Sequence, residues 1–310
     1  MNRQTIIDVL AAGRVANLPS VVSNIVFGAA TTSWWVHLNG LNLFWPAVAG
    51  CLLYLGGCFL NDWSDRNWDQ EHKPSRAIPS GRLKAVRVLI LALVCLLAGL
   101  LCAFWQSLLS GGVAVFIVLA ITVYTWIHKK TLLGILPMGL CRGGLYFLGL
   151  ASQTSPETIL KGTTVMELPT LVSAFPEKIL PALGLASFVA GLSLLARYEA
   201  KGMVEPRKKW FAGFLLIMPG LTTGTGLLGT LLATTLFALI AFWGHHLLKQ
   251  AISKGVSFLL ASICLVDLIP LLLRAPSSGV FHIPNYWPFV AVSGVAFLLA
   301  LLLQKVAPAT

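Results

Sequence analysis

The chain is predicted to be an all-α, polytopic transmembrane bundle, from its composition, the spacing of its apolar runs and the sidedness of its charges. Of 310 residues, 57% are hydrophobic and 11% charged, whereas a soluble domain carries about a quarter of its residues as Asp, Glu, Lys or Arg. Apolar runs of roughly twenty residues recur along the chain, each long enough to cross a hydrocarbon core of about 30 Å. The net charge of +11 is gathered between those runs, so it reports topology rather than affinity for nucleic acid.

Ten spans are expected, over 18–37, 43–60, 86–106, 110–128, 133–151, 179–197, 209–228, 230–248, 255–273 and 285–304. They make one membrane domain of residues 1–310. With a cytoplasmic amino terminus, 18 of the 22 Lys and Arg residues fall in inner segments. Six of these lie from Arg66 to Arg87 and five from Arg197 to Lys209. Only Lys161, Lys178 and Arg274 face outward, and Arg142 falls within a span. Positive charge retained on one side is the signature of an inserted multi-pass protein, expected here in a bacterial inner membrane. An alternative joins 209–248 into one helix broken at Pro219 and Gly220, which carries Lys249 and Lys254 to the outside. The outer loop 152–178 is expected to cap the outer mouth.

The polar start from Met1 to Asp8 is followed by no small-residue cleavage site, so no removed signal peptide is expected. All six cysteines lie in apolar runs without a CxxC pair or a His cluster, which points to packing rather than zinc or disulfides. His245 and His246 lack a third ligand and read as interfacial residues. The aromatics fit interfacial belts and helix packing, as at Trp34, Trp45 and Trp287.

Chemistry concentrates where the second span runs into Asn61-Asp62-Trp63-Ser64-Asp65-Arg66-Asn67-Trp68-Asp69. If the helix continues, Asp62, Asp65 and Asp69 have the i, i+3, i+7 spacing of one face, and three carboxylates converge. Hard oxygen ligands of this kind suit Mg²⁺, which keeps waters and bridges a few carboxylates to phosphates. Lys73, Arg76 and Arg82 follow in a Pro-broken loop and add phosphate-binding cations. A solvated juxtamembrane loop accounts for Arg82, Lys84 and Arg87, but acids gain nothing from the positive-inside rule.

This segment resembles the first signature, NDxxDxxxD, of the UbiA-like intramembrane prenyltransferases, and matches it at every fixed position. The downstream Arg76-Ala77-Ile78-Pro79-Ser80-Gly81 is similar to the family's RPxxSG-like continuation, with Ala77 where Pro is usual. The resemblance covers nearly the whole chain in helix order. It takes in Arg14-Val15-Ala16-Asn17-Leu18-Pro19 before the first helix and Asn24 one turn inside it. After the fourth helix, Tyr124-Thr125-Trp126-Ile127-His128-Lys129 resembles the family's Tyr-to-Lys element, one residue longer than in many members. Arg142 stands where the family also places an arginine, and a charge inside a span is costly enough to mark function. The alternative for Arg142 is an ion pair with the intramembrane Asp267.

The resemblance implies nine family-like helices plus a tenth, with Asp62, Asp65 and Asp69 holding Mg²⁺. Those acids and Arg142 form the implied catalytic set, and Asn24, Asn61, Lys73, Arg76, Tyr124 and Lys129 are implied to bind substrate. The implied reaction moves an isoprenoid group from an allylic prenyl diphosphate to a lipophilic acceptor within the membrane. The family's second Asp-rich segment is altered here. Residues 197–209 hold Arg197, Glu199 and Lys201 but no aspartate, so these three are assigned to the substrate, with the two cations replacing a second metal. The Ala-Arg-Tyr-Glu run is also similar to the EboC-like branch, associated with secondary-metabolite clusters. A second reading keeps a cavity for a prenyl diphosphate or lipid without transfer, serving binding, transport or assembly.

Overall fold

The computed structural model describes residues 3–31, 43–128, 131, 134–153, 168–197, 206–223, 226–274 and 287–306. Almost all of them are helical. In chain order the helices are α1 (Arg3–Ala12), α2 (Leu18–Ala30), α3 (Phe44–His72), α4 (Ala85–Gln106), α5 (Leu108–Ile127) and α6 (Ile135–Ser152). They are followed by α7 (Leu168–Arg197), α8 (Pro206–Leu221), α9 (Gly226–Gln250), α10 (Ile252–Ala261), α11 (Ile263–Arg274) and α12 (Trp287–Val306).

Each expected span has a helical counterpart, with differences that have local causes. Among the described residues, eight helices or joined helices are long and apolar enough to cross a membrane. The first span arrives instead within a bent pair, in which α1 and residues Val15–Ala30 meet at 50°. At that bend Arg14 adopts φ 47°, ψ 46°, in the left-handed region, a conformation that costs a side-chain-bearing residue about 1–2 kcal/mol. Pro19 then sits in the first turn of α2, where its missing N–H is harmless. The seventh span is the short α8, whose Pro206–Leu221 comprises 16 residues.

The alternative of a single broken helix over 209–248 is excluded by packing. Gly220 of α8 lies against the Thr234 backbone of α9, a contact that one continuous helix, rising about 1.5 Å per residue, does not make. The two helices therefore turn back on one another. The helix of the sixth expected span, α7, starts at Leu168, so the segment expected as a loop to 178 is helical in its last eleven residues. Residues 154–167 of that expected loop lie outside the described residues, as do 198–205 of the second-motif loop.

The break between α4 and α5 is tight because Ser107 is extended and its hydroxyl caps α5, accepting from the Ser110 N–H at 3.0 Å. Glycines allow the closest helix approach, as expected where lipid gives no hydrophobic drive to association. Gly28 of α2 meets the Tyr146 carbonyl of α6, and Gly149 of α6 meets the Ile25 carbonyl of α2, so a Cβ at either position overlaps backbone. One apolar cluster joins α2 and α6 to α7, α8, α9, α10, α11 and α12, with Phe27, Phe188 and Phe237 among its members. A second, around Val21, Leu53, Ile117 and Leu148, joins α2 to α6. Between these two clusters lies a cavity.

Candidate active site

The cavity has a volume of about 690 Å³ and is walled by α3, α5, α6, α7, α10 and α11, with Arg14 and Asn17 from the segment before α2. Its depth is apolar, formed by Leu53, Ile117, Leu145, Val189 and Ile263. Its opposite wall carries Asn61, Asp65, Asp69, Lys73, Arg76 and His128. An amphiphile with a charged head and a hydrocarbon body matches that division.

The acidic wall exists because α3 continues past residue 60, to His72, without a helix breaker until Pro74. Asn61, Asp65 and Asp69 follow at i, i+4 and i+8 and are buried on one face. Asn61 donates to Asp65 Oδ2 at 3.2 Å. His128, at the end of α5, sets Nε2 3.2 Å from Asp65 Oδ1 and Nδ1 3.0 Å from the Tyr124 carbonyl. Arg76 donates to Asp69 Oδ2 at 2.7 Å. Its loop turns back through the positive-φ Gly81 and is tied to α1 by Arg82, 3.0 Å from Asp8.

Of the three expected carboxylates, Asp65 and Asp69 line the cavity. Asp62 does not line the cavity. It lies on the flank of α3, 3.6 Å from Arg14 and 3.7 Å from Arg76, both of which do line the cavity. Two acids face inward, and the third anchors the cations beside them. Among the described residues no three His, Cys, Asp or Glu side chains are gathered as a closed metal site. Mg²⁺ does not require one, since it takes one or two carboxylates and completes its shell with water and phosphate. The Oδ1 atoms of Asn61 and Asp62 are buried without a hydrogen-bond partner. An unused amide oxygen beside two inward carboxylates fits a hard divalent cation.

Of the other expected site residues, Lys73, Arg76, Tyr124 and Arg142 line the cavity. Lys129, Glu199 and Lys201 and the side chain of Arg197 lie outside the described residues. Asn24 is not at the cavity wall. It is fully buried behind Arg142, whose Nη1 donates to Asn24 Oδ1 at 3.2 Å and to Ser20 Oγ at 3.0 Å. The Arg142 guanidinium also lies 4.9 Å from the Tyr54 ring centre. The alternative of a direct Arg142–Asp267 ion pair fails, because the Asn24 amide intervenes and donates to both Asp267 oxygens.

Several residues at this wall went unassigned from sequence. Tyr54 and Cys58 precede Asn61 and Asp65 at helical spacing, a polar stripe in an apolar helix that was legible in principle. His128 sits one turn after Tyr124, within the same element. Cys58 and Cys141 line the cavity instead of only filling the core.

The model of the UbiA prenyltransferase family matches residues 18–255. A digeranylgeranylglyceryl phosphate synthase from Methanosarcina mazei is 34% identical over 94 residues, 30% of this chain and 32% of that protein. One from Sulfurisphaera tokodaii is 27% identical over 117 residues, 38% of this chain and 42% of that protein. The chain thus spans less than half the length of these relatives. A solved structure concerned with digeranylgeranylglyceryl phosphate synthase in membranes shares the fold, with a TM-score of 0.53 and 16% identity. The alignment covers 87% of this chain and 97% of that one. With the family pattern matched across most of its length, this integral, multi-pass membrane protein belongs to the UbiA prenyltransferase family.

Proposed function

We propose that the protein transfers an isoprenoid group from an allylic prenyl diphosphate to a lipophilic acceptor inside the membrane, assisted by Mg²⁺. The observation that carries this reading is the α3 face: Asn61, Asp65 and Asp69 beside Arg76, His128 and Lys73, opening onto an apolar chamber of about 690 Å³. A diphosphate head belongs with the charges, and a polyisoprenoid tail belongs in the chamber.

In this reaction the allylic C–O bond breaks and both of its electrons leave with diphosphate. The acceptor's nucleophilic atom then bonds to the allylic carbon and gives up a proton. Asp65 and Asp69, with Asn61, would hold the cation, and bound Mg²⁺ supplies charge neutralisation for the departing diphosphate. Arg76 and Lys73 bind phosphate oxygens. Arg14 and Arg76 are kept in place by Asp62, and Arg142 adds a fixed positive charge within the low-dielectric chamber. Arg197 and Lys201 extend this cationic set where the second acidic segment is altered, with Glu199 as its remaining carboxylate. The segments 61–87 and 197–209 then share the cytoplasmic side of a bacterial inner membrane. The EboC-like resemblance favours an acceptor among secondary-metabolite precursors, and the likeness to digeranylgeranylglyceryl phosphate synthases favours a lipid-like one.

The test is incubation of the purified protein with a labelled prenyl diphosphate, Mg²⁺ and an acceptor pool. Mg²⁺-dependent transfer with release of diphosphate is expected. Gln at both Arg197 and Lys201 should lower diphosphate affinity by about tenfold, and Gln at both Lys208 and Lys209 should not. Binding without transfer or diphosphate release would establish the non-catalytic reading, which the missing second aspartate pair favours.

A further inference from the structure

We infer that Asp267, remote from the cavity wall, is a positioning residue that acts through the amide of Asn24 to set the Arg142 guanidinium. The inference rests on the proposed transfer reaction only for the identity of the ligand that Arg142 meets.

Asp267 of α11 is fully buried. Three donors converge on its carboxylate: the Ser23 hydroxyl and the Asn24 amide from α2, and the Tyr146 hydroxyl from α6. The Asn24 nitrogen lies 3.1 and 2.9 Å from the two carboxylate oxygens. The Asn24 NH₂ group donates to both oxygens and is therefore turned toward Asp267. Its carbonyl oxygen is then obliged to face Arg142, which donates to it at 3.2 Å.

Ser20 has the same directed polarity. Its hydroxyl donates to the Asn17 carbonyl at 2.7 Å, so its lone pair receives Arg142 Nη1 at 3.0 Å. The guanidinium is therefore held on one edge by two acceptors whose orientation is fixed, and on one face by Tyr54. Arg142 is buried, and among the described residues it has no carboxylate within ion-pairing distance. A direct partner would neutralise it. A carboxylate one amide away orients the cation and leaves its charge available to the cavity, whose wall Arg142 forms.

A mere brace between helices would use the same bonds, and the two roles separate by experiment. The full chain in detergent is titrated with geranyl thiolodiphosphate, an unreactive donor analogue, in the presence of Mg²⁺. Asp267→Asn and Asn24→Leu should each weaken binding about tenfold. On an Arg142→Gln background, each should change affinity less than about twofold, because the residue being positioned is gone. Ser23→Ala and Tyr146→Phe remove bonds to Asp267 that do not lead to Arg142. They should lower the melting temperature and leave affinity within about twofold.

An unchanged affinity in Asp267→Asn, or an equal loss with and without Arg142, overturns the inference and leaves a helix brace. Failure of the transfer proposal looks different: the wild type binds the analogue but transfers nothing, and the coupling is still read from affinity. If the wild type binds no analogue, melting supplies a ligand-free cycle. Additive losses for Asp267→Asn and Arg142→Gln show that the two side chains are not linked and refute the relay.

Discussion

The two charged regions of this bundle solve opposite problems. At the end of α3, acids and cations touch: Asp62 with Arg14 and Arg76, Asp69 with Arg76, and Asp65 with His128. Deeper, Arg142 and Asp267 are kept apart by Asn24. The first arrangement balances a dense set of charges at the helix end by direct pairing. The second is embedded among packed helices, where an unpaired charge is costly and a neutral amide lets two charges stabilise each other without cancelling. Direct pairing stores charge at the first site, and mediated pairing gives it direction at the second.

The sharpest way to break this comparison is at the acids. Asp65→Asn should reduce Mg²⁺-dependent turnover about a hundredfold while leaving the melting temperature close to wild type. Asp62→Asn, on the flank, should cost nearer tenfold, through loosened Arg14 and Arg76. Equal losses in a steady-state transfer assay would show that all three acids act at the metal after all. In the interior, Gly28→Val forces a side chain against the Tyr146 backbone and should destabilise by about 1–3 kcal/mol, read as a lowered melting temperature in detergent. If that variant melts like wild type, the α2–α6 contact is looser than described. The smallest effect belongs to Arg82→Gln, since its ion pair with Asp8 is partly exposed and such pairs are worth about 0.2–1 kcal/mol. A small melting shift with turnover within about twofold is expected, and a large loss would extend the site beyond Arg76 to Arg82.

Helix order and the acidic segment were legible because both follow from periodicity and composition. Which acid faces the cavity was not. Asp62 and Asp69 point only about 20° apart around the helix, yet Asp62 is placed against Arg14, 48 positions earlier in the chain. Spacing identifies a face but not what covers it. Asn24 shows the same limit: its position near the start of the first span fitted substrate contact, while its role depends on where α6 and α11 arrive. The helical continuation of α3 to His72 was read correctly as a condition, whereas the early start of α7 at Leu168 was missed, since mixed Pro, Thr and Glu residues mask helical propensity.

The length of α3 has one further implication. Its 29 residues rise about 44 Å, against a hydrocarbon slab of about 30 Å. One rigid rod therefore carries both Leu53 of the apolar lining and Asp65 of the acidic lining, and it fixes their separation along the helix axis. Such a rod acts as a depth gauge. Any molecule that spans the cavity therefore meets its apolar and its acidic residues at one fixed separation.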